Sequence, residues 1–197
     1  MAKKKVKLED CLNLVKKGAY KTLIDQVAIT EDFPTMHKLI ECKDITSDDV
    51  TKMVDCIMKF HDETDSEKMK ELYVEVLDIV TENPKMESEV AEKVCDFAIK
   101  NGYSKSLWNI ARHNSLTLKI AKQICEYRKA TNEWNMTVTM EFLSGNDKTP
   151  DDILFYIVEE EWSQSINRIA NANLAIRYKL LKEKLSQSKY GRSFLNN

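Results

Sequence analysis

Apolar residues recur along most of the chain three and four positions apart, which is the spacing of one face of an α-helix. One such stripe follows the polar run at residues 64–67, which has the form of a capping box with Thr64 as its first residue. We expect this helix to end near Thr81. Further stripes of the same kind occupy residues 90–98, 120–127, 153–157 and 176–181. The pattern predicts a succession of amphipathic helices.

Two further helix starts are near copies of each other. The two segments are Thr46-Ser47-Asp48-Asp49 and Thr149-Pro150-Asp151-Asp152. In each, a Thr is predicted at the N-cap, Ser or Pro at the first helical position, and two carboxylates at the positive end of the helix. A separate match aligns residues 15–24 with residues 99–108 without a gap. In that match, Gly18 and Gly102 predict that one helix ends and the next begins at once.

A spaced signature repeats over residues 72–173: an aromatic or Leu, then Ile or Phe seven or eight residues on, then Asn four residues further. Its copies are Leu72/Ile79/Asn83, Tyr103/Ile110/Asn114, Trp134/Phe142/Asn146 and Trp162/Ile169/Asn173. A near-fixed period of this size is typical of stacked helical units. We expect each Asn to lie in a turn between two helices and to satisfy free backbone groups there. We expect Trp134 to pack, mostly buried, between layers.

These patterns predict an all-α fold, a short α-solenoid of stacked helix-turn-helix units with about 10 helices. Only four Gly and three Pro are present, which leaves few residues for β-turns. Residues 1–185 are predicted to form one repeat domain, with irregular units over 1–65 and regular units over 66–185. Residues 186–197 lack an apolar stripe and are predicted to be a flexible tail.

The repeat corners also resemble a known family. Ile110-Ala111-Arg112-His113-Asn114, the run Leu143 to Pro150 and Ile169-Ala170-Asn171-Ala172-Asn173 each follow an aromatic residue, and Asn83-Pro84 and Thr149-Pro150 supply prolines. They resemble the leucine-rich-repeat-variant pattern, a HEAT-like helical repeat, over residues 72–182. The resemblance implies a right-handed helical stack that binds a macromolecule and does not catalyse a reaction.

Charge is strongly segregated although the net charge is only −2. Residues 1–22 carry a net +5, residues 23–100 a net −11 and residues 101–197 a net +4. The C-terminal basic block and the acidic run before Trp162 are candidate partner-binding sites; their residues are Arg168, Arg177, Lys179, Lys182, Lys184, Glu159, Glu160 and Glu161. A solvated terminal helix and a solvated turn are the alternative interpretations.

Catalytic and metal-binding motifs are not recognisable in the sequence. The five cysteines form no close pair and His37, His61 and His113 have no two-His zinc spacing, so we predict reduced structural thiols and no metal or other cofactor. There is no Gly-rich phosphate loop and no Gly-x-Ser-x-Gly elbow. No apolar run reaches the roughly 18 residues of a membrane span. We therefore predict a cytoplasmic protein that is not an enzyme and does not bind membranes.

Fold and charge together predict a protein-interaction module, acting as a regulator, inhibitor or adaptor, whose acidic middle segment engages a basic protein partner. The alternative is a HEAT-like nucleic-acid-binding protein in which superhelical curvature brings the basic N- and C-terminal segments onto one surface. Binding that weakens steeply with salt would identify the second function, because each neutralised phosphate releases counterions.

Overall fold

The structure is a computed structural model that describes residues 6–131, 136–160 and 162–187, with side chains up to Glu183. All the regular elements in these residues are α-helices, which confirms the all-α prediction. The eleven helices are α1 Leu8–Lys16, α2 Tyr20–Thr30, α3 Phe33–Ile40, α4 Ser47–Glu63, α5 Glu67–Val80, α6 Ser88–Asn101, α7 Ser104–Arg112, α8 Leu118–Thr131, α9 Met136–Gly145, α10 Asp151–Glu159 and α11 Gln164–Gln187. Trp134 and residues 188–197 lie outside the described residues.

Helix starts follow local chemistry at some positions. Thr46 caps α4: its hydroxyl accepts the Asp49 N–H at 3.1 Å, and the Asp49 carboxylate accepts the Thr46 N–H at 2.9 Å. Gly18 and Gly102 have φ of 68° and 74°, and α2 and α7 begin two residues after them, as predicted. These features depend only on residues within one helical turn, which is why the pattern in the sequence predicts them.

Two predicted caps are wrong. Ser66, not Thr64, caps α5, because α4 extends to Glu63 and Thr64 is the residue that ends it. Thr149 does not cap α10: its hydroxyl donates instead to the carbonyl oxygen of Leu143, and Pro150 occupies the cap position. In both cases the Thr that the sequence assigns to the start of one helix instead contacts the end of the preceding helix.

The helices alternate between two layers. Each odd-numbered helix packs against the next odd-numbered one from α1 to α11, and each even-numbered helix packs against the next even-numbered one from α2 to α10. Consecutive helices join the layers, most extensively at α4/α5, α6/α7 and α10/α11. The core between the layers includes the fully buried side chains of Leu23, Ile57, Leu77, Leu107 and Ile124.

A row of polar side chains, which we call the corner ladder, ties each corner of the stack to the corner before it. Asn83 Nδ2 donates to the carbonyl of Ile40 at 2.5 Å, and His113 Nε2 donates to the carbonyl of Asn83 at 2.9 Å. Asn146 Nδ2 donates to the carbonyls of Ala111 and His113 at 2.9 and 3.1 Å. Asn173 Nδ2 donates to the carbonyls of Ser144 and Asn146 at 2.9 and 3.1 Å. Buried carbonyls at helix ends need such donors. The predicted role of the corner asparagines is confirmed at Asn83 and Asn146.

The other two asparagines differ from the prediction. Asn114 is exposed, and His113 occupies the ladder position instead. The Ser115 N–H donates to His113 Nδ1 at 3.1 Å, so Nε2 carries the proton and the ring is neutral; burial lowers its pKa, which favours the same state. Asn173 lies inside α11, not in a turn, because α11 continues through it to Gln187.

The five cysteines are free thiols. Cys11, Cys95 and Cys125 are buried, and burial raises the pKa of Cys11 to about 11 and the pKa values of Cys95 and Cys125 to about 12. Thiols with such pKa values stay protonated and behave as small apolar side chains. Across the described ranges, no helix is long and apolar enough to span a membrane.

Candidate partner-binding surface

The predicted basic residues of the C-terminal block have unlike surroundings. Arg168, Lys179 and Lys182 are exposed on α11, whereas the side chain of Lys184 lies outside the described residues. Arg177 is half-buried, and its guanidinium donates to five acceptors of the α9–α10 corner and α11: Asn173 Oδ1, Asp151 Oδ1 and the carbonyls of Asn146, Asp147 and Thr149. Because a guanidinium has five N–H groups, these five acceptors engage every donor of Arg177 within the fold. No donor remains for a partner.

The glutamates of the predicted acidic run also differ in their surroundings. Glu159 is exposed at the last residue of α10, Glu160 accepts a hydrogen bond from Lys129 of α8 at 2.8 Å, and Glu161 lies outside the described residues. Glu160 thus belongs to a series of ion pairs that join successive even-numbered helices. The other pairs are Lys93 with Asp55 at 3.2 Å and Lys119 with Glu92 at 2.8 Å. The outer surface of the even layer is therefore partly neutralised within the fold.

The tertiary structure assembles a different surface on the outer side of the odd layer. We call it the odd-helix face and define it by accessible side chains of α5, the turn after α5, α7 and α9: Glu71, Glu75, Glu82, Lys105, Trp108, Arg112, Val138, Glu141 and Phe142. Contacts between neighbouring helices make the face continuous. Arg112 pairs with Glu82 at 3.0 Å, and Lys105 lies 3.4 Å from Asp78 of α5.

A three-membered stack forms the centre of this face. The Arg112 guanidinium lies 5.9 Å from the Trp108 ring centre, and the Trp108 ring stacks on Phe142 with centroids 5.6 Å apart and planes 16° from parallel. Trp108 and Phe142 are half-buried and Arg112 is exposed. A cation over an aromatic face and an offset ring pair are both favourable arrangements. They hold three large side chains in place before any partner arrives.

Two grooves flank Arg112 along the edge of the face. One of about 410 Å³ is lined by Arg112, Asn114, Glu141, Phe142, Gly145, Asn146 and Asp147. The other, of about 220 Å³, is lined by Thr81, Glu82, Pro84, Asn109, Arg112, His113 and Asn114. Asn114, which is absent from the corner ladder, lines both grooves. Its amide is thereby placed where a bound chain could meet it.

The α5 end of the odd-helix face is acidic. Glu71 and Glu75 are exposed four residues apart, and neither has a basic side chain within salt-bridge distance among the residues that the structure describes. Glu82 is shared between Arg112 and His37, whose Nδ1 lies 3.5 Å from its carboxylate. Negative charge therefore remains uncompensated on α5, beside the aromatic stack.

Sequence reasoning did not identify this face. Trp108 and Arg112 share one side of α7 because they are four residues apart, which is a signal available in the sequence. The contact of Trp108 with Phe142 joins residues of different helices, and no local spacing predicts it. In the described part of the chain, no group of three or more His, Cys, Asp or Glu side chains could hold a metal ion.

Comparison of the chain with profiles of protein families, with curated proteins and with solved structures found no match. The resemblance to leucine-rich-repeat-variant proteins therefore stays a prediction.

Proposed function

We propose that this protein is a short α-solenoid that binds another protein without catalysis, as a regulator, inhibitor or adaptor. The alternation of helices between two layers supports the solenoid, because in such stacks each unit contacts its neighbours along one direction. The odd-helix face crosses three successive odd-numbered helices, which pack against each other in order. An extended surface across several units is the usual binding surface of helical repeats.

The Arg112–Trp108–Phe142 stack is the observation that carries this proposal. Trp, Tyr and Arg are the residue types that dominate the binding energy of protein interfaces, and an ordered side chain loses little entropy on binding. The stack is accessible, held by its neighbours and flanked by two grooves. It therefore offers a preformed anchor for an apolar or aromatic side chain of a partner.

Charge suggests the chemistry of that partner. Glu71 and Glu75 lie on the same face as the stack and are not neutralised within the fold. A segment carrying Lys or Arg, followed by an apolar residue, would meet the α5 carboxylates and the α7–α9 stack together. This arrangement favours a basic protein partner, since complementary charge sets orientation and speeds association.

Paired charge reversals test the proposal. The chain would be immobilised and exposed to cell lysate at low and moderate salt, as wild type, as Glu71→Lys/Glu75→Lys and as the control Glu63→Lys/Glu126→Lys. The control changes net charge equally, but at exposed positions of the even layer. We expect wild type and control to retain the same basic partner and the first variant to lose it. Equal retention by all three would exclude the odd-helix face, and no retained protein at either salt would refute the binding module.

The alternative nucleic-acid-binding function requires the two basic ends on one surface. α1 packs against α2 and α3, whereas α11 packs against α9 and α10, so the described parts of these ends stand at opposite ends of the helix order. Arg177 is also fully engaged in its corner. No observation favours this alternative, and a mobility-shift titration at low salt tests it.

A further inference from the structure

The corner ladder contains one titratable side chain, His113. The other donors of the ladder are asparagine amides, which do not titrate, whereas a histidine ring has an ordinary pKa of 6.5. The His113 side chain is only 8% exposed, yet it lines the groove of about 220 Å³ at the edge of the odd-helix face. Water in this groove can therefore bring a proton to the buried ring.

The hydrogen bonds of the ring require its neutral form. Nε2 of His113 donates to the Asn83 carbonyl at 2.9 Å, and Nδ1 accepts the Ser115 N–H at 3.1 Å. A charged imidazole has donors only, so a proton on Nδ1 would place two N–H groups opposite each other. The Ser115 amide would then lose its acceptor. The charged ring therefore does not fit the closed corner.

The charges around the ring oppose a proton rather than attract one. The charged or titratable side chains on the surrounding elements are Arg112 of α7, Glu82, Lys85 and Glu87 between α5 and α6, Lys119 of α8, Asp147 and Lys148 of the α9–α10 corner, and His37 of α3. Among the described residues, no carboxylate lies within salt-bridge distance of the ring. Burial lowers the His113 pKa most and the Arg112 charge lowers it further, whereas the bond to the Asn83 carbonyl acts in the opposite direction.

The stability of the corner should therefore fall in acid. A lowered pKa means that the folded state binds the proton less tightly than the unfolded chain does. The contribution of His113 to the free energy of unfolding is present in full above the unfolded value of 6.5, and it is lost as pH falls from 6.5 through the folded pKa.

The turn that carries His113 also positions two residues of the odd-helix face and its grooves. Arg112 precedes it and Asn114 follows it, and both line the two grooves. We propose that His113 is a proton-operated latch of this corner: the neutral ring holds Arg112 and Asn114 in place, and a proton from solvent, added to Nδ1, releases the ring and the turn. The latch itself needs no partner. Its control over partner binding rests on the proposed function of the odd-helix face.

NMR titration of the full chain tests the latch, from about pH 8 to about pH 4.5. We expect the His113 ring to titrate with a midpoint below 6.5. The Ser115 amide and the Asn146 side-chain amide, which donates to the His113 carbonyl at 3.1 Å, should shift with the same midpoint. Amides of α1, which packs against α2 and α3, should not follow it.

Two variants assign the response to His113. His113→Gln keeps one donor and one acceptor but cannot take up a proton, so the Ser115 and Asn146 resonances should lose the shift. Relative to this variant, wild type should lose melting temperature as pH falls below 6.5. His37→Gln, at an exposed histidine of α3, is the matched control and should keep the wild-type response.

Capture of the partner tests the regulatory consequence. From about one pH unit above the His113 midpoint to about one unit below it, the apparent affinity of wild type should fall about tenfold, because the neutral fraction falls about tenfold. His113→Gln should bind equally at both pH values, which controls for titration of the partner. Equal affinity of wild type at both values would overturn the regulation. If wild type retained no protein at either pH, the proposed function would fail, and the NMR titration would still decide the latch.

Four outcomes would overturn the latch. The His113 midpoint could lie at or above 6.5. The ring could titrate while Ser115 and Asn146 do not shift, which would mean that the corner accommodates the charged ring. Amides of α1 could follow the same midpoint, which would mean that the whole chain unfolds. His37→Gln could abolish the response while His113→Gln keeps it, which would make His37 the switch, acting through Glu82.

Discussion

The α5/α7 and α7/α9 interfaces lie on two sides of the same helix, yet away from the corner ladder one is polar and the other is aromatic. Between α5 and α7, Ser106 donates to the Asp78 carboxylate at 2.6 Å, and Asn109 donates to the Asp78 carbonyl at 2.9 Å and to the Thr81 hydroxyl at 3.2 Å. All four side chains are buried. Between α7 and α9, Trp108 stacks on Phe142 instead.

The difference shows that neighbouring interfaces of one stack are stabilised by different interactions, hydrogen bonds in one and ring packing in the other. Buried polar groups that find partners contribute only about 1 kcal/mol per hydrogen bond, because the same groups bond to water when unfolded. Apolar contacts gain stability with area, and α7/α9 packs more extensively than α5/α7. We therefore expect the boundary between α5 and α7 to open before the boundary between α7 and α9.

Removing a core side chain of α7 should weaken both interfaces and have the largest effect. Leu107 is fully buried, so Leu107→Ala should lower the free energy of unfolding by about 2–5 kcal/mol through lost burial and a cavity. Urea denaturation measures this loss. Leu118→Ala, the same change at a 41% exposed site on α8, is the control and should cost less than about 1 kcal/mol. Equal losses would mean that α7 does not hold the stack together.

Trp108→Ala removes the apolar interface selectively. Trp108 is partly buried, so the loss should fall below the roughly 3–5 kcal/mol of a fully buried Trp, at about 2–3 kcal/mol. Urea denaturation and hydrogen exchange in α9 check it, with faster exchange expected in α9 than in α5. If α5 were affected more than α9, the assignment of Trp108 to the α7/α9 interface would be wrong. The same variant should lose the partner proposed for the odd-helix face.

Asn109→Ala removes the polar interface selectively. The change leaves the Asp78 carbonyl and the Thr81 hydroxyl without their Asn109 donor, and we expect a loss of about 1–2 kcal/mol in the free energy of unfolding. Asn114→Ala, at an exposed asparagine of the next corner, should change it by less than about 0.5 kcal/mol. Faster hydrogen exchange at the end of α5, with α9 unchanged, would localise the loss. A loss in α9 as large as in α5 would contradict the comparison.

The smallest expected effect is the pH dependence of Asp78, which tests the polar character of the α5/α7 interface. Burial raises the pKa of Asp78, although Ser106 and Lys105 act in the opposite direction. A raised pKa means that the folded state binds the proton more tightly than the unfolded state. The corresponding stability is present below the unfolded value of 3.8 and is lost as pH rises through the folded pKa.

Asp78→Asn removes this titration while keeping the shape of the side chain. Relative to wild type, the variant should gain free energy of unfolding as pH rises from below 3.8 toward 7. Thermal unfolding of both proteins across this pH range measures the difference. Ser106 can still donate to the amide oxygen, so the packing is kept. A difference that stays constant with pH would show that Asp78 does not titrate differently on folding.

Local features of the fold could be predicted from the sequence. The N-cap at Thr46 and the helix ends at Gly18 and Gly102 depend on residues within about one turn, and the structure contains them. The repeated signature likewise predicted that its asparagines bond to backbone groups at corners between helices, and Asn83 and Asn146 do so. The caps at Thr64 and Thr149 were wrong because a neighbouring helix competes for the same residue, and its length depends on what it packs against.

The candidate surfaces could be predicted much less well. Charge along the chain indicated an acidic middle and a basic end. Only the structure shows that Arg177 is fully hydrogen-bonded at the α9–α10 corner, and that Glu71 and Glu75 are exposed on the odd-helix face. The stack of Trp108 on Phe142 joins residues 34 positions apart. Spacing within one helix carries no information about such pairs.

The sequence by itself determined that this chain folds into amphipathic helices with a repeating corner, because helix periodicity and capping are local properties. The tertiary structure decided which residues the corners use. His113 rather than Asn114 reaches the carbonyl of Asn83, 30 residues earlier, because that carbonyl is brought to it only when α5 and α7 pack side by side. The same packing buries Asp78 and leaves Trp108 and Arg112 accessible, since a side chain is exposed or buried by its neighbours in space rather than in sequence.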